Sequence, residues 1–233
     1  MSLFRKAVFH TTVANLQDLP MDSVCEIAFA GRSNAGKSSA INTLADHTRL
    51  AFVSKTPGRT QHLNYFTLAE GKYFVDLPGY GFAKAPEEIR SQWESLLGPY
   101  LRHRTTLAGL VLIMDSRHPL TDLDAQLIEL FAPSGKPIHV LLSKADKLTR
   151  MEQAEVVREV KAGLLQFGSN CSVQLFSSFN RLGVREAELI LGGWLGMEVP
   201  DDVPPPTGLR TEKAARPKNR KAIGWSARVG KKT

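Results

Sequence analysis

The residues best suited to chemistry form one run, Gly31-Arg32-Ser33-Asn34-Ala35-Gly36-Lys37-Ser38, which fits the pattern G-x-x-x-x-G-K-[ST]. Glycine permits a tight turn whose backbone N–H groups face inward, and a helix starting at its end adds a dipole favourable to an anion. In such a cradle Lys37 neutralises the β- and γ-phosphates of a nucleotide and the Ser38 hydroxyl ligates Mg²⁺. A second run, Asp76-Leu77-Pro78-Gly79, follows a strand candidate. There a carboxylate can hold the water shell of Mg²⁺ and the Gly79 N–H can meet the γ-phosphate.

A third run, Ser143-Lys144-Ala145-Asp146, decides the base. Guanine offers two adjacent donors, N1–H and the exocyclic amine, which the two oxygens of Asp146 can accept together, whereas adenine presents an acceptor at N1. Lys144 is expected to lay its stem over the base plane. Phe176 ends the last strand candidate, and Ser177 and Ser178 directly after it are expected to offer backbone N–H groups to guanine O6. The expected ligands are GTP or GDP with Mg²⁺.

These runs need a scaffold that brings them to one edge. Apolar runs over Cys25–Ala30, Leu63–Leu68, Tyr73–Val75, Leu110–Met114, Ile138–Leu142 and Val173–Phe176 read as strands. They alternate with segments of helical period, the pattern of a mostly parallel sheet covered on both faces. The short turn between the second and third runs predicts a hairpin and so one antiparallel strand. Helices are predicted over Pro86–Arg104, with acidic residues in its first turn and basic ones in its last, and over Asp122–Phe131 and Arg185–Leu195. Another opens on the capping box Thr149/Glu152 and ends before Gly168. The expected fold class is therefore α/β, a three-layer P-loop arrangement with a mostly parallel six-stranded sheet, one strand antiparallel, and helices on both faces.

The chain has 233 residues, 42% of them hydrophobic and 23% charged, enough to bury a substantial core. Its formal charge of +7 is unevenly spread. Nine basic and three acidic residues lie between Asp201 and Thr233, a net +6, which leaves +1 for residues 1–200. The expected organisation is an N-terminal extension packed on the domain over residues 1–22, a nucleotide-binding domain over 23–199, and a Pro-rich linker with a basic, disordered tail over 200–233. RNA is the expected partner of that tail, through phosphate neutralisation and stacking by Trp225. Cys25 and Cys171 are expected to be buried reduced thiols. The absence of a signal-peptide pattern and of a long apolar stretch points to the cytoplasm, with no membrane partner. No histidine spacing suggests zinc, and a monomer is expected.

Together, Gly31 to Ser39, Thr56-Pro-Gly-Arg-Thr-Gln61, Asp76-Leu-Pro-Gly-Tyr-Gly-Phe82 and Ser143 to Asp146 resemble the bacterial EngB (YihA/YsxC) branch of the translation-factor-like GTPases, over roughly residues 5 to 198. The resemblance implies a GTP-hydrolysing switch, a role in assembling the large ribosomal subunit, and a requirement in cell division or septation. It implies that Thr60 ligates Mg²⁺ with Ser38 and senses the γ-phosphate, and that Gly58, Arg59, Thr60, Gln61 and His62 surround the nucleotide. Lys37, Thr60, Gly79 and Asn34 form the implied catalytic set, Asn34 by helping to coordinate K⁺ as in related potassium-activated GTPases. Ser143 replaces the asparagine of many relatives, and its shorter side chain is expected to brace the base loop less. Tyr80 stands where Ras-like enzymes carry a water-orienting glutamine, so slow intrinsic hydrolysis is expected. Two other readings are a P-loop kinase, against which Ser143 to Asp146 argues, and a nucleic-acid-binding module that has lost hydrolysis, which Tyr80 leaves open.

Overall fold

The computed structural model describes residues 2–52, 62–80, 93–168 and 170–198. Among these, seven strands, β1 (Val8–Val13), β2 (Cys25–Gly31), β3 (Leu63–Ala69), β4 (Lys72–Asp76), β5 (Leu107–Asp115), β6 (Ile138–Ser143) and β7 (Cys171–Leu175), form one sheet in the order β1-β3-β4-β2-β5-β6-β7. Strands β2, β4, β5, β6 and β7 pair in parallel, and β3 runs antiparallel to both β1 and β4. The fold class is the expected one, with seven strands in place of six. Val8–Val13, inside the stretch expected to be an extension, adds to the edge through β3. It leaves no clear apolar period because it is a half-solvated edge strand: Val8 and Phe9 are exposed and Val13 is buried.

The helices among the described residues are α1 (Lys37–Leu44), α2 (Gly98–His103), α3 (Asp122–Phe131), α4 (Arg150–Leu164) and α5 (Val184–Trp194). A π-helical turn, Trp93–Leu97, leads into α2. The earlier part of the helix predicted from Pro86, the 58–61 segment and the basic tail lie outside the described residues. The capping box predicted at Thr149 is present, with the Glu152 carboxylate accepting from Thr149 N at 2.7 Å. Thr121 and Asp124 form a second one on α3.

Alternation at period two sends neighbouring strand residues to opposite faces, and both faces are dry. Ala28 and Ala30 of β2, Leu110 and Leu112 of β5, and Val140 of β6 pack with Leu101, Ile128, Phe131 and Val160 from α2, α3 and α4. Ile27 and Phe29 of β2, with Val111, Ile113 and Leu141, face Ile41, Leu44, Ala187 and Leu191 from α1 and α5. Each fully buried Leu, Ile or Phe contributes about 1.5–3 kcal/mol. This core holds the C-terminal ends of the parallel strands at one edge, where ligands bind in open α/β sheets. Cys25 and Cys171 are half-buried free thiols, and burial raises the pKa of both.

Candidate functional site

The loop after β2 is built around two positions that demand glycine. A Cβ on Gly31 would lie 2.7 Å from the Ile113 carbonyl oxygen of the adjacent β5, and Gly36, at the N-cap of α1, has φ +103°. Asn34 is also left-handed, at φ 65°, a conformation asparagine tolerates. No side chain caps the start of α1, and the first N–H groups of a helix have no intrahelical acceptor. They are therefore free to serve an anion at the loop.

Two loop carbonyls are tied outward by the base-recognition run. The Ser143 hydroxyl donates to Ala35 O, and Lys144 Nζ donates to Asn34 O at 2.8 Å. Ser143, expected to brace the loop less than an asparagine, does hold it through this one bond. Ser143 ends β6, almost wholly buried, and a Cβ on Gly36 would lie within 3.7 Å of its side chain, so little reach is needed.

Lys37 donates to Asp76 Oδ1 inside the protein. Burial pushes the Asp76 carboxyl up, and the Lys37 charge pulls it partly back. Asp76 reaches this point because β4 pairs in parallel with β2 and sets it opposite Phe29. Beyond it, Leu77 N donates to Phe29 O at 2.9 Å, and Pro78 is buried. Ser33 N donates to Tyr80 O at 2.8 Å, and Gly79 lies against Ser33. The Asp76–Gly79 run and the loop after β2 are thus joined through their backbones. Arg32 and Ser38 are half-buried and His62 is exposed. Gly58, Arg59, Thr60 and Gln61 lie outside the described residues.

At the base end, Ala145 N donates to Phe176 O at 3.1 Å, and Gln153 Nε2 donates to Ala145 O at 2.8 Å. The Ser177 hydroxyl donates to Asp146 Oδ1 at 2.6 Å. That bond, against the opposing effect of burial and with help from Lys147, lowers the Asp146 pKa and so favours the acceptor carboxylate form. Ser177 N already donates to Leu182 O at 3.0 Å. This corrects the expectation that both serine N–H groups face the base: Ser177 acts through its hydroxyl, while Ser178 is exposed.

The motif reading missed Asp115, which ends β5 opposite Ser143 and accepts from Lys144 Nζ at 2.9 Å. It also missed Asp124, which meets the Tyr80 hydroxyl at 2.6 Å. The signal for Asp115 was its place at the C-terminal end of a strand next to β2. Asp124 carried no local signal beyond its capping role.

A family described as 50S ribosome-binding GTPase matches residues 26–144. A probable GTP-binding protein EngB of Dechloromonas aromatica is 69% identical over 201 residues, covering 85% of this chain and 91% of the relative. That of Aromatoleum aromaticum is 58% identical over 212 residues, covering 90% and 98%. Among solved structures, a crystal structure of a probable GTP-binding protein EngB has a TM-score of 0.57 at 18% identity, over 74% of this chain and 99% of that one. A variant of Aquifex aeolicus Era bound to GDP·AlF4⁻ has a TM-score of 0.60 at 19% identity, over 78% and 61%. These structural likenesses concern the fold.

Proposed function

The chain belongs to the EngB family of GTP-binding proteins and is a GTPase, and from that premise we propose that it acts in the cytoplasm as a magnesium-dependent switch in assembly of the large ribosomal subunit. The family description, a 50S ribosome-binding GTPase, supports that partner. A requirement in cell division or septation is part of the same proposal, on the family resemblance. The tail from Asp201 is the proposed contact with ribosomal RNA, on account of its charge.

One observation carries the nucleotide reading: Ser143 and Lys144, from the run that ends in Asp146, both bond to carbonyls of the Gly31–Ser38 loop. A base site and a phosphate site fastened to one another are pre-spaced for one nucleotide. In this reading Asp146 accepts from guanine, Lys144 covers its face, and Phe176, Ser177 and Ser178 close the edge. The loop's N–H groups and Lys37 hold the phosphates, and Gly79 N–H reports the γ-phosphate. On the family resemblance, Thr60 and its neighbours from Gly58 to His62 would complete the enclosure.

The donors fit Mg²⁺, a hard cation that takes a hydroxyl, a carboxylate through water, and phosphate oxygens. Ser38 and Thr60 would hold it, with Asp76 behind its waters, and when bound it neutralises charge on the phosphate oxygens. Asn34, exposed at the turn of the loop, would help to hold K⁺ in the place of an arginine finger. Equal hydrolysis rates in K⁺ and Na⁺ would remove that part.

The test of the switch is sedimentation of the chain with large-subunit precursors in GTP and in GDP, with and without residues 201–233. Nucleotide-dependent co-sedimentation that weakens without the tail is the expected result. Equal association in both nucleotides would overturn the switch reading, and an unchanged salt dependence after truncation would overturn the role of the tail.

A further inference from the structure

Asp146 is not the only carboxylate at the base-recognition end of the sheet. Asp115, at the end of β5, accepts from Lys144 Nζ at 2.9 Å, and the same ammonium donates to Asn34 O at 2.8 Å. Asp115 is itself held. Arg117 Nε donates to Oδ1 at 2.9 Å, Arg117 Nη2 to Oδ2 at 2.6 Å, and Arg117 N to Oδ1 at 3.1 Å. A carboxylate gripped on both oxygens cannot rotate away from its lysine. Lys144 leaves a left-handed backbone position, φ 57°, so its stem starts in a set direction and its tip is fixed at two points.

We propose that Asp115 is a positioning residue for guanine-nucleotide binding: clamped by Arg117, it fixes the Lys144 ammonium so that the lysine stem lies ready as a flat apolar cover for the base. A free lysine samples many rotamers, and binding would otherwise have to remove that freedom. Asp146 and Asp115 thus divide the work, one selecting guanine by hydrogen bonds and the other holding the group that covers it. The inference rests on the reading of Lys144 as the base cover.

The prediction is a loss of affinity without loss of selectivity, transmitted only through Lys144. Binding of a fluorescent GDP analogue to the full chain is measured in wild type, Asp115→Asn, Lys144→Ala and the double variant, with thermal melting as a control for folding. Asp115→Asn should weaken binding about tenfold and leave the preference for GDP over ADP unchanged. The double variant should bind no more weakly than Lys144→Ala alone. Wild-type affinity in Asp115→Asn, or losses that add in the double variant, would overturn the proposal. If Asp115→Asn does not fold, Arg117→Ala replaces it in the same cycle. Arg117 is exposed at the surface, and its removal should cost about threefold, again only when Lys144 is present. A parallel Asp146→Asn variant tests the base site itself. Failure of that variant to turn toward xanthine nucleotides would defeat the base reading, whereas a turn toward xanthine with normal binding in Asp115→Asn would defeat this inference alone.

Discussion

The Tyr80 hydroxyl donates to Asp124 Oδ1 at 2.6 Å, and the other oxygen of that carboxylate accepts from Thr121 N and Thr121 Oγ1, both at 2.8 Å. The residue immediately after the Asp76–Gly79 run is therefore anchored to the first turn of α3. Tyr80 is 4% exposed, and burial, then the charge of Asp124, raises its pKa well above that of an ordinary phenol. An anchored, buried phenol is not placed to orient a water for attack, the task glutamine performs in Ras-like enzymes.

Tyr80→Phe keeps the ring and removes only the hydroxyl. It should cost about 1–2 kcal/mol, read as a lower urea midpoint at unchanged slope. Steady-state GTP hydrolysis should stay within about threefold of wild type, because the lost group supports the loop and not the reacting water. A hundredfold fall in rate would show that Tyr80 takes part in the chemistry.

Glu26 is fully buried near the start of β2, at the opposite end of the strand from Gly31. Its Oε1 accepts from Arg104 Nε at 2.9 Å, Arg104 Nη2 at 2.7 Å, Thr106 Oγ1 at 3.0 Å and Ser23 Oγ at 2.6 Å. Its Oε2 accepts from Tyr100 at 2.8 Å and Tyr65 at 3.1 Å. Glu26→Gln leaves the Arg104 charge with a neutral partner and should destabilise by about 3–5 kcal/mol in urea unfolding. Nucleotide affinity of the folded fraction should be unchanged, since the substitution lies at the far edge of the sheet.

His139 is buried between Ser172 and Gln174, with both ring nitrogens engaged at 2.8 Å. Nε2–H donates to Gln174 Oε1, so the neutral ring accepts from Ser172 at Nδ1. Burial lowers its pKa, with the Gln174 bond opposing. The unfolded chain then binds more protons than the native one below the ordinary histidine value. Stability from this group is complete above about pH 6.5 and is lost as the pH falls from there toward the native pKa. Thermal melting between about pH 7.5 and about pH 5.5, a range that brackets the ordinary histidine value, should show a falling midpoint, with a shallower fall in His139→Gln. Equal slopes would remove the assignment.

Ser143→Ala leaves the Ala35 carbonyl without its donor at the edge of the phosphate loop. Affinity for GDP should weaken about five- to tenfold, with guanine selectivity retained. Unchanged affinity would mean that the loop holds its shape without this bond.

Chemistry written in contiguous residues is legible in the amino-acid sequence itself. Gly31–Ser38, Asp76–Gly79 and Ser143–Asp146 each act over a few neighbouring residues, and the capping box at Thr149 depends on the spacing of Thr149 and Glu152. The buried strands are legible too, because a strand covered on both faces must be apolar throughout. What tertiary structure decided are pairings between distant positions: Ser143 with Ala35, Lys144 with Asp115, Ser177 with Asp146, Tyr80 with Asp124, and the network around Glu26. A polar side chain's partner depends on strand order and register, and a single aspartate carries no local mark of which strand will lie beside it. Val8–Val13 escaped for the same reason, since an edge strand with one shared border is held by backbone bonds to β3 more than by a period of its own apolar residues.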